Sequence, residues 1–180
     1  MRNRLELVTG RAPGKVGQVL RPATPLDAPR LVAMFERCST ATRYARFMSP
    51  LRNFPAAHLV DVVKSSRIRR SWVIEELGSG EVVGVGSWFR NQPEAAEVGL
   101  LIEDAFQHQG LGSALLDELA TTALDEGITT FVGHTVADAR HVHRMLRDLG
   151  PTTIEGSGPS RTLRTILDDE AAGESLCRFA

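Results

Sequence analysis

The chain alternates between segments with helical spacing of apolar positions and shorter runs with strand-like composition. We predict helices over five segments: Pro25–Cys38, Ser39–Phe47, Ala56–Lys64, Gly110–Glu126 and Asp138–Leu149. We predict strands over eight segments: Leu5–Val8, Val16–Arg21, Ser71–Glu76, Val82–Trp88, Glu97–Ile102, Thr129–Thr135, Thr152–Glu155 and Thr162–Leu167. This order predicts a mixed α/β layer whose sheet is largely antiparallel, and it argues against a doubly wound parallel sheet.

The helix predicted over Gly110–Glu126 has the clearest pattern in the chain. Its apolar face is marked by leucines at a helical spacing: Leu111, Leu115, Leu119 and Leu124. Gly127 follows at the position where a helix C-terminus is commonly capped by glycine. This helix therefore has both a buried face and a defined end.

Length and charge restrict the class of protein. A chain of 180 residues with 42% hydrophobic residues can bury one core. We expect one main domain over residues 18–167, between an N-terminal extension at 1–17 and an acidic tail at 168–180. The 21 basic and 22 acidic side chains leave a net charge of −1, which argues against a general nucleic-acid-binding surface.

The cysteines and the apolar runs exclude further classes. Cys38 and Cys177 are far apart and form no CxxC pair, so we expect neither a disulfide framework nor a zinc site. The N-terminal residues lack the continuous apolar stretch of a signal peptide, and no apolar run reaches the roughly 20 residues of a membrane helix. We therefore expect a cytoplasmic protein with no metal, nucleic-acid or membrane partner, whether a monomer or a homodimer.

The most informative stretch is the junction between a strand and a helix at Glu97–Ser113. A strand ends at Ile102, a short turn follows, and Gly110 and Gly112 open the long helix. A helix N-terminus has unpaired N–H groups and the positive end of a dipole, so it can hold phosphate without a basic side chain. This pattern predicts a site for a diphosphate-bearing cofactor, although a helix that simply begins with glycines has the same spacing.

The residues of this junction resemble a known signature. Gln107-His108-Gln109-Gly110-Leu111-Gly112 is similar to the Gln/Arg-x-x-Gly-x-Gly/Ala motif of the GNAT acyltransferase superfamily, and the order of elements from about Val19 to Leu167 resembles it too. The resemblance implies a GNAT fold of six or seven mostly antiparallel strands, helices on both faces and a splayed central strand pair. It also implies acetyl-CoA as co-substrate, with no metal.

The resemblance implies a set of cofactor-binding positions. Backbone amides of the glycine loop would hold the pyrophosphate, and the strand end would pair with the pantetheine arm. The implied residues are Leu101, Ile102, Gln107, His108, Gln109, Gly110, Leu111, Gly112, Ser113 and Arg140. A backbone N–H near Leu101–Glu103 is the expected donor to the oxyanion.

The acceptor is expected to be an amine. A lysine amine has a pKa of about 10.4, so a base must take its proton before attack. The resemblance implies that Glu97, ten residues before Gln107, is the general base, although an exposed glutamate on a strand fits the same position. Arg43-Tyr44-x-Arg46-Phe47 resembles bacterial Pat-type protein lysine acetyltransferases, so we expect a protein lysine or a small-molecule amine. Arg43 and Arg46 either shape the acceptor entrance or pair with acidic neighbours.

Three positions depart from the family pattern. Gln109 stands where a cation often precedes the first glycine, Ala139 replaces a cofactor-contacting Asn, and Leu146 replaces the Tyr that many members use as general acid. These departures leave a second hypothesis open, a catalytically weak or inactive acyl-CoA-binding regulatory module. His141 and His143 are two apart on a helix and should face different sides, so we expect no shared metal.

Overall fold

One mixed sheet organises the chain, with strand order β1-β2-β3-β4-β5-β6-β8-β7. The computed structural model describes the backbone of residues 6–8 and all of residues 17–168; most of the predicted N-terminal extension, the tail beyond Asp168 and Cys177 lie outside these ranges. The strands are β1 (Glu6–Val8), β2 (Gln18–Pro22), β3 (Arg69–Glu76), β4 (Val82–Gln92), β5 (Ala95–Ile102), β6 (Thr130–Val136), β7 (Thr152–Glu155) and β8 (Ser160–Ile166). All neighbouring strands in the described part are antiparallel except β5 and β6, which are parallel.

Helices cover both faces of this sheet. They are α1 (Ala28–Arg37), α2 (Thr40–Phe47), α3 (Ala56–Val62), α4 (Leu111–Asp125) and α5 (Arg140–Asp148), with 3₁₀ turns at Pro25–Asp27 and Asp104–Phe106. On one face, α1 and α3 share a core with Val73, Val85 and Leu101. On the other, α4 and α5 pack on a core that includes Ile74 and Trp88. Burial of these two apolar surfaces is the main force that holds the layers together.

The fold class predicted from the sequence is confirmed, and the sheet has eight strands in place of the expected six or seven. The long helix is also where its leucines predict it, with Leu111, Leu115 and Leu119 almost fully buried. Gly127 follows it with a φ of 76°, in the left-handed conformation that favours glycine, and its N–H donates to the Leu124 carbonyl.

The first helix begins three residues later than predicted. The Asp27 carboxylate accepts hydrogen bonds from the backbone N–H and the hydroxyl of Thr24, which closes a 3₁₀ turn before α1. Arg21 on β2 donates to Asp27 at 2.6 and 2.8 Å and also to Glu75 on β3. This buried ionic cluster fixes the first helix to the sheet, so Arg21 and Asp27 have a structural role.

The parallel pair opens partway along its length. Pairing of β5 with β6 runs from Ala95 to Val98 and stops there, whereas β5 continues to Ile102 against β4 alone. After Gly133, the residue of β6 that lies opposite Val98, β6 continues to Val136 and is paired there with β8. The two central strands therefore diverge, as the splayed pair in the family predicts, and leave a cleft beside the last four residues of β5.

Candidate functional site

The open edge of β5 carries backbone groups that face the cleft. The Glu94 carbonyl accepts from the N–H of Thr130, so the peptide groups of even-numbered residues on this strand point toward β6. The Glu103 N–H donates to Val83 on β4, which places odd-numbered residues on the opposite side. Leu100 and Ile102 therefore present their N–H groups to the cleft, past the last residue that pairs with β6.

This alternation corrects the expectation for Leu101. Its side chain is buried in the core with α1 and α3, and its peptide groups face β4, where it pairs with Val85. Leu101 pairs with Val85 of β4, and this pairing fixes the positions of Leu100 and Ile102 beside the cleft. Ile102 is then the residue of the Leu101–Glu103 segment whose N–H is oriented toward the cleft.

The loop that leads into α4 is shaped by two left-handed residues. His108 has a φ of 59°, and Gly110, the N-cap of α4, has a φ of 84°. The first helical hydrogen bond runs from the Ala114 N–H to the Gly110 carbonyl, so the N–H groups before it have no partner within the helix. The first turn, Leu111 to Ala114, contains no carboxylate that would repel an anion. This loop and helix end form a concave surface of N–H groups suited to phosphate.

Gln107 has a role that its place in the motif does not reveal. Its side-chain amide donates to the carbonyl of Ile102 at 3.0 Å and to the hydroxyl of Thr42 at 3.1 Å. The glycine loop is thereby attached both to the end of β5 and to α2. The carbonyl of Ile102 is occupied by this bond, so the N–H is the group that Ile102 has left for a ligand.

Asp104 reinforces the same connection and was not singled out in the sequence. It accepts hydrogen bonds from the N–H and hydroxyl of Ser39 and from the hydroxyl of Thr42, at the start of α2. Burial by itself would raise the pKa of Asp104, but these hydrogen bonds dominate and lower its pKa below the ordinary value. Asp104 thus remains ionised at neutral pH and holds α2 against the turn after β5.

The histidines near the loop separate into two roles. His108 lies against His141 at the start of α5, with ring centroids 6.2 Å apart, and both are exposed. His143 is buried, and its Nε2 is 3.0 Å from the Thr135 hydroxyl. The prediction that His141 and His143 face different sides is confirmed. Arg140 is exposed at the first position of α5, and its contact with a cofactor stays a prediction.

Glu97 lies on the sheet face covered by α1 to α3. It is exposed on β5, opposite Phe89 of β4, whose side chain is 43% exposed. The next residue on the same face is Gly99, and the guanidinium of Arg46 from α2 fills the space that a Cβ at this glycine would take. The expected base therefore lies beside a cation and an exposed aromatic ring, at the edge of the cleft.

Arg46 and His58 form a small cluster behind Glu97. The guanidinium of Arg46 lies 3.4 Å from Nε2 of His58 and 5.0 Å from the centroid of the Phe47 ring. Burial, with a smaller effect from the Arg46 charge, lowers the pKa of His58 to about 4. His58 is therefore neutral at physiological pH, and its Nε2 accepts from the guanidinium.

Arg43, the other arginine predicted near the acceptor, is already bound within the protein. It donates to the backbone carbonyls of Cys38, Arg52 and Glu36. Arg69 and Arg70 of β3 form ion pairs with Asp61 and Glu126. These three arginines therefore contribute to packing within the protein.

Residues 17–168 contain no group of three or more His, Cys, Asp or Glu side chains that could hold a metal ion. Among the helices described there, none is long and apolar enough to cross a membrane.

The opened strand pair followed by a glycine-led helix matches the arrangement that the family resemblance implies. Residues 31–150 match the acetyltransferase (GNAT) family, and the chain belongs to that family. The family resemblance predicted from the glycine loop is confirmed.

Individual relatives support the same grouping. Acetyltransferase Pat of Mycolicibacterium smegmatis is 28% identical over 139 residues, which are 75% of this chain and 41% of that protein. The chain thus spans about two fifths of the length of this curated relative. The GNAT domain of S. lividans PAT superposes with a TM-score of 0.79 at 25% identity, covering 91% of this chain and 97% of that one.

A third relative shares the fold at lower identity. The acetyltransferase YncA of Salmonella typhimurium, whose structure includes its cofactor acetyl-CoA, has a TM-score of 0.68 at 19% identity. The match covers 84% of this chain and 95% of that one.

Proposed function

We propose that this chain transfers an acetyl group from acetyl-CoA to an amine by direct attack in a ternary complex, with Glu97 as the general base. The observation that carries the proposal is the cleft between β5 and β6, with the glycine loop at one end and Glu97 at the other. The sequence resemblance of Arg43-Tyr44-x-Arg46-Phe47 to Pat-type protein lysine acetyltransferases favours a protein lysine as the acceptor, and a small-molecule amine is the other candidate.

The residues of the cleft fit coenzyme A. A pantetheine arm carries amide groups that can pair with an open strand edge, and the N–H groups of Leu100 and Ile102 provide one. The diphosphate carries negative charge, which suits the N–H groups of Gly110 to Ser113 and the positive end of α4. Gln109 brings no charge, and its side-chain amide donates to the Ala105 carbonyl, so the backbone would supply most of the phosphate contacts.

The chemical role of each residue follows from its position. Bound acetyl-CoA supplies an activated acetyl thioester. Glu97 removes a proton from the acceptor amine, because only the neutral amine has a lone pair for attack. The Leu100 N–H, which lies nearer to Glu97 along β5, donates to the negative charge that develops on the carbonyl oxygen, and the Ile102 N–H pairs with the pantetheine arm. The thiolate leaves without a dedicated acid, which its ordinary pKa of about 8.5 permits.

Replacing Glu97 tests this proposal. In Glu97→Gln, release of free thiol from acetyl-CoA with an amine acceptor should fall about 100-fold or more at neutral pH, as expected for the loss of a general base. Binding of acetyl-CoA, measured by calorimetry, should remain within about twofold. Glu94→Gln is the matched control because Glu94 is also exposed, at the turn before β5. Unchanged turnover in Glu97→Gln would remove its role as the base.

A second candidate function is an acyl-CoA-binding module without catalysis. Leu146 favours it, because this residue stands where many family members have a Tyr that acts as general acid. The Leu146 side chain is buried against Gly133 and cannot donate a proton. Such a module would bind acetyl-CoA and release no thiol with any amine or protein acceptor. Calorimetry followed by a thiol-release assay over an amine panel separates the two functions.

A further inference from the structure

We infer that Arg46 binds an anionic group of the acceptor, so that the preferred acceptor is an amine with a carboxylate close to it. This inference rests on the proposed function, because it takes the acceptor amine to lie at Glu97. It adds the chemical class of the acceptor, which that function leaves open between a protein lysine and a small molecule.

The direct contacts of the Arg46 guanidinium are with neutral groups, and Glu97 interacts with its charge from beyond hydrogen-bond distance. The hydrogen-bond partner of the guanidinium is the neutral imidazole of His58, its flat face lies near Phe47, and Gly99 provides the space under it. His58 is itself fixed between Phe47 and Phe54, with ring centroids at 5.4 and 5.7 Å. These contacts orient the cation without neutralising it.

Several other partly buried arginines in the described chain pair directly with carboxylates, whereas Arg43 and Arg90 donate to backbone carbonyls. Within 4.0 Å, four of them meet carboxylates: Arg21 with Asp27 and Glu75, Arg37 with Glu103, Arg69 with Asp61 and Arg70 with Glu126. No carboxylate oxygen among residues 17–168 lies within that distance of Arg46, including that of Glu97. Burial lowers the pKa of Arg46, and the attraction of the Glu97 carboxylate opposes this lowering only in part.

Arg46 lies within reach of an acceptor molecule whose amine is at Glu97. Gly99 and Glu97 are on the same face of β5, so their Cα atoms are about 7 Å apart. A molecule with its amine at Glu97 can therefore reach the guanidinium with a carboxylate a few bonds away. Glu97 loses its negative charge when it takes the amine proton, and a ligand carboxylate would keep Arg46 compensated at that moment.

The side from which the anion arrives is also defined. The cavity behind Arg46, lined by His58, Phe54 and Leu101, has a volume of about 10 Å³, the space of one water molecule at most. A carboxylate cannot enter there. It would meet the guanidinium on its outer side, toward Glu97, where Arg46 retains partial exposure.

The test compares pairs of acceptors that differ only in one charge. The pairs are γ-aminobutyrate with γ-aminobutyramide, and a short peptide with Asp after its lysine with the same peptide carrying Asn. For at least one pair, kcat/KM of the wild-type protein should be about tenfold higher for the carboxylate, the usual effect of one charge-assisted hydrogen bond. The pair that shows the difference identifies whether the acceptor is a small molecule or a peptide.

Variants connect this preference to Arg46. The ratio of kcat/KM for the carboxylate acceptor to that for its uncharged partner should fall toward one in Arg46→Gln and be partly retained in Arg46→Lys. Arg147→Gln is the control and should keep the wild-type ratio, because Arg147 is an exposed arginine of α5 on the opposite face of the sheet. If Arg46→Gln does not fold, the wild-type ratio and Arg46→Lys decide. A wild-type ratio near one in both pairs, or an unchanged ratio in Arg46→Gln, overturns the inference and leaves the acetyltransferase proposal intact. If no acceptor supports thiol release, both the inference and the acetyltransferase proposal are overturned.

Discussion

His58 should make the stability of this protein depend strongly on mildly acidic pH. Its imidazole lies between two phenylalanine rings and beside the Arg46 guanidinium, so a second positive charge there is unfavourable. Burial and the neighbouring cation lower its pKa from 6.5 to about 4. Between these values the folded protein holds fewer protons than the unfolded chain, so lowering the pH favours unfolding.

The size of the effect follows from the two pKa values. A histidine that titrates at 6.5 when unfolded and near 4 when folded costs about 2 kcal/mol of stability between pH 7 and pH 5. A domain of this size is typically stable by about 5–15 kcal/mol, so the loss is a large fraction of the total. The same change should shift the melting temperature by several degrees.

Chemical denaturation of wild type and His58→Gln at pH 7 and pH 5 measures this contribution. The wild-type free energy of unfolding should fall by about 2 kcal/mol more than that of the variant over this interval. His134→Gln, which removes an exposed imidazole from β6, serves as the matched control. Equal pH dependence in wild type and His58→Gln would refute the placement of a buried, neutral His58 beside Arg46.

Three further substitutions test the fold and the cleft. Gly110→Ala forces a side chain into the left-handed region, so it should cost about 1 kcal/mol in denaturation and weaken acetyl-CoA binding in calorimetry; unchanged affinity would contradict the role of this loop. Asp27→Asn should cost about 3 kcal/mol at pH 7 because it leaves Arg21 with a broken buried ion pair. Since the pKa of Asp27 is lowered in the folded state, that difference should shrink as the pH falls below about 4, and a constant difference would argue against an ionised Asp27. Gly99→Ala should collide with the Arg46 guanidinium and reduce any preference for carboxylate acceptors, measured as the ratio of kcat/KM values.

Local patterns in the sequence were sufficient for most helices and strands and for the position of the glycine loop. The leucine spacing of α4 and the glycines at its two ends are signals within one element, and the structure agrees with them. The spread of β5 from β6 was expected only through the family resemblance, since no property of either strand alone indicates where their pairing stops.

Other features depend on contacts between distant segments, which the sequence does not reveal. Which of Leu100 and Leu101 turns its peptide groups to the cleft is decided by which edge of β5 meets β4, and the structure turns those of Leu101 toward β4. Asp104 reaches α2 across 65 residues of chain, and Arg46 meets Gly99 across a similar separation. The sequence does carry a signal for the contact between Arg46 and Gly99, because a glycine inside a strand often marks a place where another group approaches the backbone closely.

The central claim is that acetyl-CoA binds in the cleft between β5 and β6 with its phosphates at the start of α4. Backbone amide NMR during titration with acetyl-CoA tests it most directly. The largest shifts should occur at Leu100, Ile102 and the amides of residues 110–113. Binding with its largest shifts elsewhere, for example around the groove lined by Thr24, Lys64 and Ser66, would contradict the account, as would the absence of binding.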